Sequence, residues 1–230
     1  MAQNGKKYRA VSEKVEDKVY GLPEAVDFLK SNPTASFNET LELAFRLGVD
    51  PRKSDQAVRG TVNLPHGSGK NVRVAVFASG AAADAAREAG ADIVGNEDLI
   101  EKVSGGWLEF DVAVATPEAM KEVRKLGKVL GPRGLMPNPK TGTVTDDTAQ
   151  AVQASKAGRV EFRMDRHGNV HVPCGKLSFS ADQLLENAQA VIASVIASKP
   201  STAKGHYIKK VSVSSTMGVG LQVGLQEATA

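Results

Sequence analysis

Two hydrophobic rhythms occupy separate parts of this chain, and their order constrains the fold more than any other feature. Leu41, Leu43, Phe45, Leu47 and Val49 alternate with Thr40, Glu42, Ala44, Arg46 and Gly48, which is the period of a strand with one wet face. Val58, Val62 and Leu64 alternate with Arg59, Thr61 and Asn63 in the same way. These two strands are expected to pair antiparallel over a layer of helices. From Val72 the pattern changes. The runs VRVAVFAS, ADIVG and FDVAVAT are continuously apolar, and each is followed by a helical stretch, AAADAAREAG, EDLIEKVSGG and PEAMKEVRKLG. Strands dry on both faces and separated by helices imply a parallel sheet covered on both sides.

After Lys156-Ala157-Gly158 the alternation returns. Val160, Phe162 and Met164 are expected to form a hairpin with Val170 and Val172 across Asp165 to Asn169. Ser180 and Gln183 have capping-box spacing, opening a helix whose Leu184, Leu185, Ala188, Val191, Ile192, Val195 and Ile196 make an apolar stripe. A last strand runs from Tyr207 to Ser215. Nearer the N-terminus, the first twenty residues read as a polar arm ending in a short helix. Leu22 to Ser31, with Pro23 at its start, reads as a helix with Val26 and Leu29 inward. The predicted fold is therefore a split α+β domain with an antiparallel sheet and packed helices, residues 1 to 67 and 159 to 230. It is interrupted by a small doubly wound α/β domain, residues 68 to 158. Glycines at both crossings, Gly67, Gly69 and Gly158, predict a double hinge.

Composition adds limits on function. No apolar run has membrane-spanning length, and MAQNGKKYRA lacks the core of a signal peptide, so a soluble cytoplasmic chain is expected. The single cysteine, Cys174, excludes an internal disulfide. The net charge of +3 is mild, but its distribution is uneven: residues 68 to 158 hold 11 basic and 12 acidic side chains, leaving 18 and 14 outside. From Asn187 to Gln226 there is no acid at all. Local positive charge of this kind is a footprint for phosphate.

Enzyme signatures are incomplete. Gly67-Ser-Gly-Lys70 lacks the first glycine of a P-loop, where Leu64 stands, and has Asn71 in place of the magnesium-binding hydroxyl. Gly218-Val-Gly220 has no following helix to bind a dinucleotide. His167, His171 and Cys174 lack a fourth ligand, so no metal is expected. No nucleophile has an evident base, so no catalytic residue and no cofactor is expected.

Three features point instead to a binding surface. Lys210, Ser212, Ser214 and Thr216 form an outward row spaced roughly 6.6 to 6.8 Å apart, matched either to successive sugars and phosphates or simply to water on an edge strand. Met217-Gly218 breaks that strand with a flexible apolar side chain, suited to a ribose or to filling a gap in the core. Phe37 has small polar neighbours, yet shares the parity of Leu41 and Phe45; stacking on a base and burial in the core are both open to it. Separately, the stretch 126 to 144, LGKVLGPRGLMPNPKTGTV, reads as an ordered loop. Its glycines and prolines oppose regular structure, Val129, Leu130, Leu135 and Met136 anchor it, and Lys128, Arg133 and Lys140 charge it.

That stretch resembles the signature of the ribosomal protein L-one family, the large-subunit proteins of the mobile side stalk. The resemblance continues through FNET at 37 to 40, GVDPRKSDQAVRGTVNLPHG at 48 to 67, KAGRVEFR at 156 to 163 and YIKKVSVSSTMG at 207 to 218. It implies the same two-domain plan and an RNA-binding face on the split domain. That face carries over to Phe37, Thr40, Thr216, Met217 and Gly218, and further to Arg163, Asp165 and Lys210, with Ser214 joining it from the outward row of the last strand. Many members have lysine before the phenylalanine where this chain has Ser36. The implied partners are large-subunit ribosomal RNA, exit-site transfer RNA and the protein's own operon messenger RNA, which it would repress. No membrane is implied, and the chain is expected to be a ribosome-associated cytoplasmic protein, monomeric off the ribosome. The alternative is a nucleotide-dependent enzyme using the edge of the parallel sheet, and a third reading is a general RNA chaperone.

Overall fold

The computed structural model describes residues 5–224; the tail from Leu225 lies outside the described residues. In chain order it comprises α1 (Lys6–Ser12), α2 (Leu22–Ser31), β1 (Thr40–Leu47), β2 (Arg59–Asn63), β3 (Val74–Phe77), α3 (Ala81–Glu88), β4 (Ile93–Gly95), α4 (Glu97–Ser104) and β5 (Val112–Ala115). There follow α5 (Met120–Val123), α6 (Gly127–Leu130), α7 (Thr148–Lys156), β6 (Arg159–Arg163), β7 (Asn169–Lys176), α8 (Ala181–Ala197), β8 (Ile208–Ser215) and β9 (Gly220–Val223). No described helix is long and apolar enough to cross a membrane. The chain divides into two compact units, Met1–Gly69 with Val160–Ala230, and Lys70–Arg159.

The first unit is built on a four-stranded sheet of order β7-β1-β8-β9, antiparallel throughout. Alternation along β1 puts Leu41, Leu43, Phe45 and Leu47 on one face, all buried. Val170, Val172, Val211, Val213 and Leu221 join them, and α2 and α8 cover that face with Val26, Leu29, Leu184, Ala188, Val191 and Val195. The capping box that opens α8 is complete: the Gln183 amide donates to the Ser180 hydroxyl at 3.2 Å, and the Ser180 amide donates to the Gln183 side chain at 3.0 Å.

Four expectations for this unit need correction. β2 does not pair with β1; it pairs with β6 in a separate two-stranded sheet. The segment 160 to 172 is not a hairpin either, because β6 pairs with β2 while β7 pairs with β1. The turn between them does form, held by the Asp165 carboxylate, but it carries the chain from one sheet to another. Alternation identifies a strand's faces and leaves its neighbours undetermined, since any one-faced strand can pair with any other. Third, β8 is an inner strand, because the chain turns back through Thr216-Met217-Gly218 to add β9. At the N-terminal end the short helix opens the polar arm instead of ending it, and the arm closes on buried Tyr20, bridged to Val223.

The second unit has a three-stranded parallel sheet of order β4-β3-β5. Successive residues of β3 feed opposite faces: Ala75 and Phe77 pack with Leu99, Val103, Val123 and Leu130, whereas Val74 and Val76 pack with Ala83, Ala86, Ala151 and Val152. Stretch 126 to 144 is more regular than a loop. Gly127–Leu130 continues the preceding helical turns, Pro139–Thr141 forms a 3-10 turn, and Val144 bridges in parallel to Ala115.

Leu184 is fully buried at the centre of the first unit. Leu184→Ala is expected to cost about 2 to 5 kcal/mol in urea unfolding, against about 1 kcal/mol for Ser180→Ala, which removes only the cap.

Candidate nucleic-acid interface

Glu39 determines the shape of this region. It shares the inward parity of Leu41 and Leu43, and its side chain is 1% exposed. A carboxylate there must be met by donors. Its Oε1 accepts from the Thr34 amide at 2.9 Å, the Thr34 hydroxyl at 3.2 Å and the Ala35 amide at 2.7 Å. Its Oε2 accepts from the Ser215 hydroxyl at 2.5 Å and the Met217 amide at 3.3 Å. Burial alone would push the Glu39 pKa up; hydrogen bonds from Ser215, Ala35, Met217 and Thr34 outweigh it and hold the carboxyl below its usual range.

One carboxylate therefore clamps the segment before β1 to the end of β8. Above it, the Thr40 amide donates to the Thr216 hydroxyl at 2.9 Å, and Lys176 Nζ donates to the Thr40 hydroxyl at 2.8 Å. Gly218 is needed for close approach, since an added Cβ would lie 2.2 Å from the Ser215 hydroxyl that serves Glu39. Phe37 and Met217 project outward, 56% and 59% exposed. Neither fills a core. Phe37 escapes the inward parity because backbone pairing ahead of β1 reaches only as far as Glu39, whose carbonyl accepts from the Leu177 amide at 2.9 Å.

The sheet face away from the helices continues this surface. Register places Glu42 beside Ser214, Ala44 beside Ser212 and His171, and Arg46 between Asn169 and Lys210. Lys210 thus lies at the opposite end of β8 from Thr216. Arg163, the last residue of β6, is exposed. Asp165 is tied up in its own turn: Oδ1 accepts from the His167 and Asn169 amides, both at 2.8 Å, and Oδ2 from the Asn169 side chain at 3.1 Å. The sequence motifs do not single out Glu39 or Lys176, and Arg46 stands in them only as a wet-face residue. The signal for Glu39 was present: an acid on the inward parity of a strand has to meet donors.

In the second unit Lys128, Arg133 and Lys140 are exposed on a rigid support. The Asn138 carbonyl accepts from the Thr141 and Thr143 hydroxyls at 3.1 and 3.2 Å, and Thr141 is 1% exposed. The Arg159 guanidinium donates to the Thr141 carbonyl. Gly142, at φ 64°, supplies the left-handed turn beside that guanidinium. Gly67, Gly69 and Gly158 likewise have positive φ, at 71°, 67° and 107°. His171 and Cys174 face opposite ways, one exposed and one buried, and no group of three potential metal ligands occurs among the described residues.

The chain matches the Ribosomal protein L1p/L10e family over residues 29–219 and belongs to that family. It is 57% identical over 222 residues to the large ribosomal subunit protein uL1 of Nocardioides sp., covering 96% of this chain and 92% of the relative. It is 60% identical over 222 residues to the protein of the same name from Leifsonia xyli subsp. xyli, covering 96% and 97%. Against that of Teredinibacter turnerae the identity is 55% over 224 residues, covering 97% of each chain. These relatives bear the name of a ribosomal protein, not an enzyme.

Because the folded chain holds Glu39 ionised to lower pH than the unfolded chain does, the unfolded chain takes up its proton first as pH falls. The stabilisation is fully present above the ordinary glutamate pKa and is lost as pH falls through the folded value. Glu39→Gln turns an amide donor toward the Ser215 hydroxyl or the Met217 amide, or toward Thr34 and Ala35. It is expected to destabilise the protein by about 2 to 3 kcal/mol at neutral pH, with the gap closing in urea titrations as pH falls below the ordinary glutamate value and through the lowered one of Glu39. A gap independent of pH counts against an ionised Glu39.

Proposed function

We propose that this chain is a constituent of the large ribosomal subunit, working in the cytoplasm, and that its split unit binds ribosomal RNA of the mobile side stalk. The observation that carries the reading is the exposure of Phe37 and Met217 side by side, from segments about 180 residues apart in sequence, on one buried carboxylate. Two apolar side chains held outward without a core partner suit ribose and base surfaces. Around them the hydroxyls of Thr40, Thr216 and Ser214 and the charges of Lys210 and Arg163 suit 2′-hydroxyls and phosphates. Gly218 lets the backbone approach closely. Asp165 acts mainly by ordering its turn.

The finer reading assigns the insert to exit-site transfer RNA. Lys128, Arg133 and Lys140 would contact the phosphates of the deacylated transfer RNA, and Gly67, Gly69 and Gly158 would let the insert move with it. Off the ribosome the monomer would bind its own operon messenger RNA through the same face as ribosomal RNA, and so repress its translation. Family membership and the ribosomal names of the relatives support the coarser reading, a constituent of the large ribosomal subunit.

Thr216→Val combined with Met217→Ala is expected to weaken binding to large-subunit ribosomal RNA by about 1 to 3 kcal/mol per lost contact. Unchanged affinity in a folded variant sinks the placement of the face. Arg133→Glu with Lys140→Glu should slow release of deacylated transfer RNA from reconstituted ribosomes while leaving ribosomal RNA affinity as it was; equal release rates would remove the insert from that role.

A further inference from the structure

Phe37 and Met217 also line a groove of about 480 Å³, together with Thr34 and Ser36 from the same segment and Lys7 and Tyr8 from α1. A volume of this size suits a small-molecule site. Its walls are preorganised: Thr34 is bound through amide and hydroxyl to Glu39, and Tyr8 packs partly buried against the core. Lys7 is exposed and has no ion pair or hydrogen bond among the described residues. The helix that carries it, KKYRAVS, contains no acid. The groove thus pairs two aromatic rings and a thioether with one uncompensated cation. A purely apolar occupant would leave the cation unused, and a simple anion would leave the rings unused. A nucleotide satisfies both, offering a π face to the rings and a phosphate to the ammonium group.

We infer that this groove receives one unstacked nucleotide of the bound RNA, its base against Tyr8, Phe37 and Met217 and its phosphate at Lys7. The inference rests on the RNA-binding reading above and extends that face to the N-terminal helix. Thr34 has its hydroxyl committed to Glu39, which leaves the Ser36 hydroxyl and the Tyr8 phenol as the lining hydroxyls open to a base, and base preference is weak.

The test uses the full chain with Lys7→Gln, Tyr8→Leu and, outside the groove, Thr216→Val. Large-subunit ribosomal RNA, adenosine monophosphate and ribose 5-phosphate serve as probes. Tyr8→Leu keeps apolar bulk but removes the ring, and is expected to lower ribosomal RNA affinity about tenfold. Lys7→Gln, at an exposed site where folding is not at issue, should lower it severalfold and reduce the slope of log affinity against log salt by roughly 0.7 to 0.9. Adenosine monophosphate should shift the NMR signals of the Tyr8 and Phe37 rings and the Met217 methyl, and ribose 5-phosphate should leave the rings unmoved. Thr216→Val should weaken ribosomal RNA binding and leave the mononucleotide response intact. If both groove variants bind ribosomal RNA like the parent while Thr216→Val does not, the RNA face stands and the groove is overturned as part of it. Mononucleotide binding with no effect of the groove variants on ribosomal RNA also overturns it, leaving a site for free nucleotide. If all three variants bind as the parent does, both readings fall.

Discussion

Burying an ionised carboxylate is tolerated only when enough donors surround it, and Glu39 meets that demand from two places at once. Three of its hydrogen bonds come from Thr34 and Ala35, and two come from Ser215 and Met217. None of the five donors could be withdrawn cheaply, because the charge would then stay buried and less compensated. This obligation brings the segment before β1 and the end of β8 to one point. The Met217 amide is itself drawn to Glu39 and Phe37 follows two residues after the Ala35 amide that is, while both side chains face solvent.

The remainder of the first unit serves as a stiff frame for that point. β1 is paired on both sides along its length, and helices α2 and α8 seal one face of the sheet. Polar groups on the other face therefore stand on a backbone paired on both sides. For the proposed RNA-binding face such placement matters, because side chains already in position lose less entropy on binding. Gly218 contributes by omission, leaving room for the Ser215 hydroxyl that Glu39 requires.

The insert solves a different problem with the same economy. Its glycine- and proline-rich stretch lacks a long helix or strand, yet Asn138, Thr141, Thr143 and Arg159 satisfy its backbone from within. Leu130 is buried and Leu135 and Met136 pack partly buried against the unit's core. Charged side chains on such a support are displayed at defined positions while the segment stays irregular.

Period and punctuation in the sequence were enough for much of this. The inward residues of β1, the bounds of α2, the capping box of α8 and the parallel βα units of the insert are local or semi-local properties, and the amino acids themselves determined them. Strand neighbours were different. The hairpin expected at 160 to 172 and the pairing of β1 with β2 failed because alternation marks a face and is silent about a partner; β9 was missed because four short residues after a turn carry little pattern. For the site, residue types pointed to Phe37 and Met217, but burial and exposure were equally open to each. Only the tertiary structure decided between them, since exposure followed from where Glu39 found its donors, and those donors come from chain segments that no local rule connects.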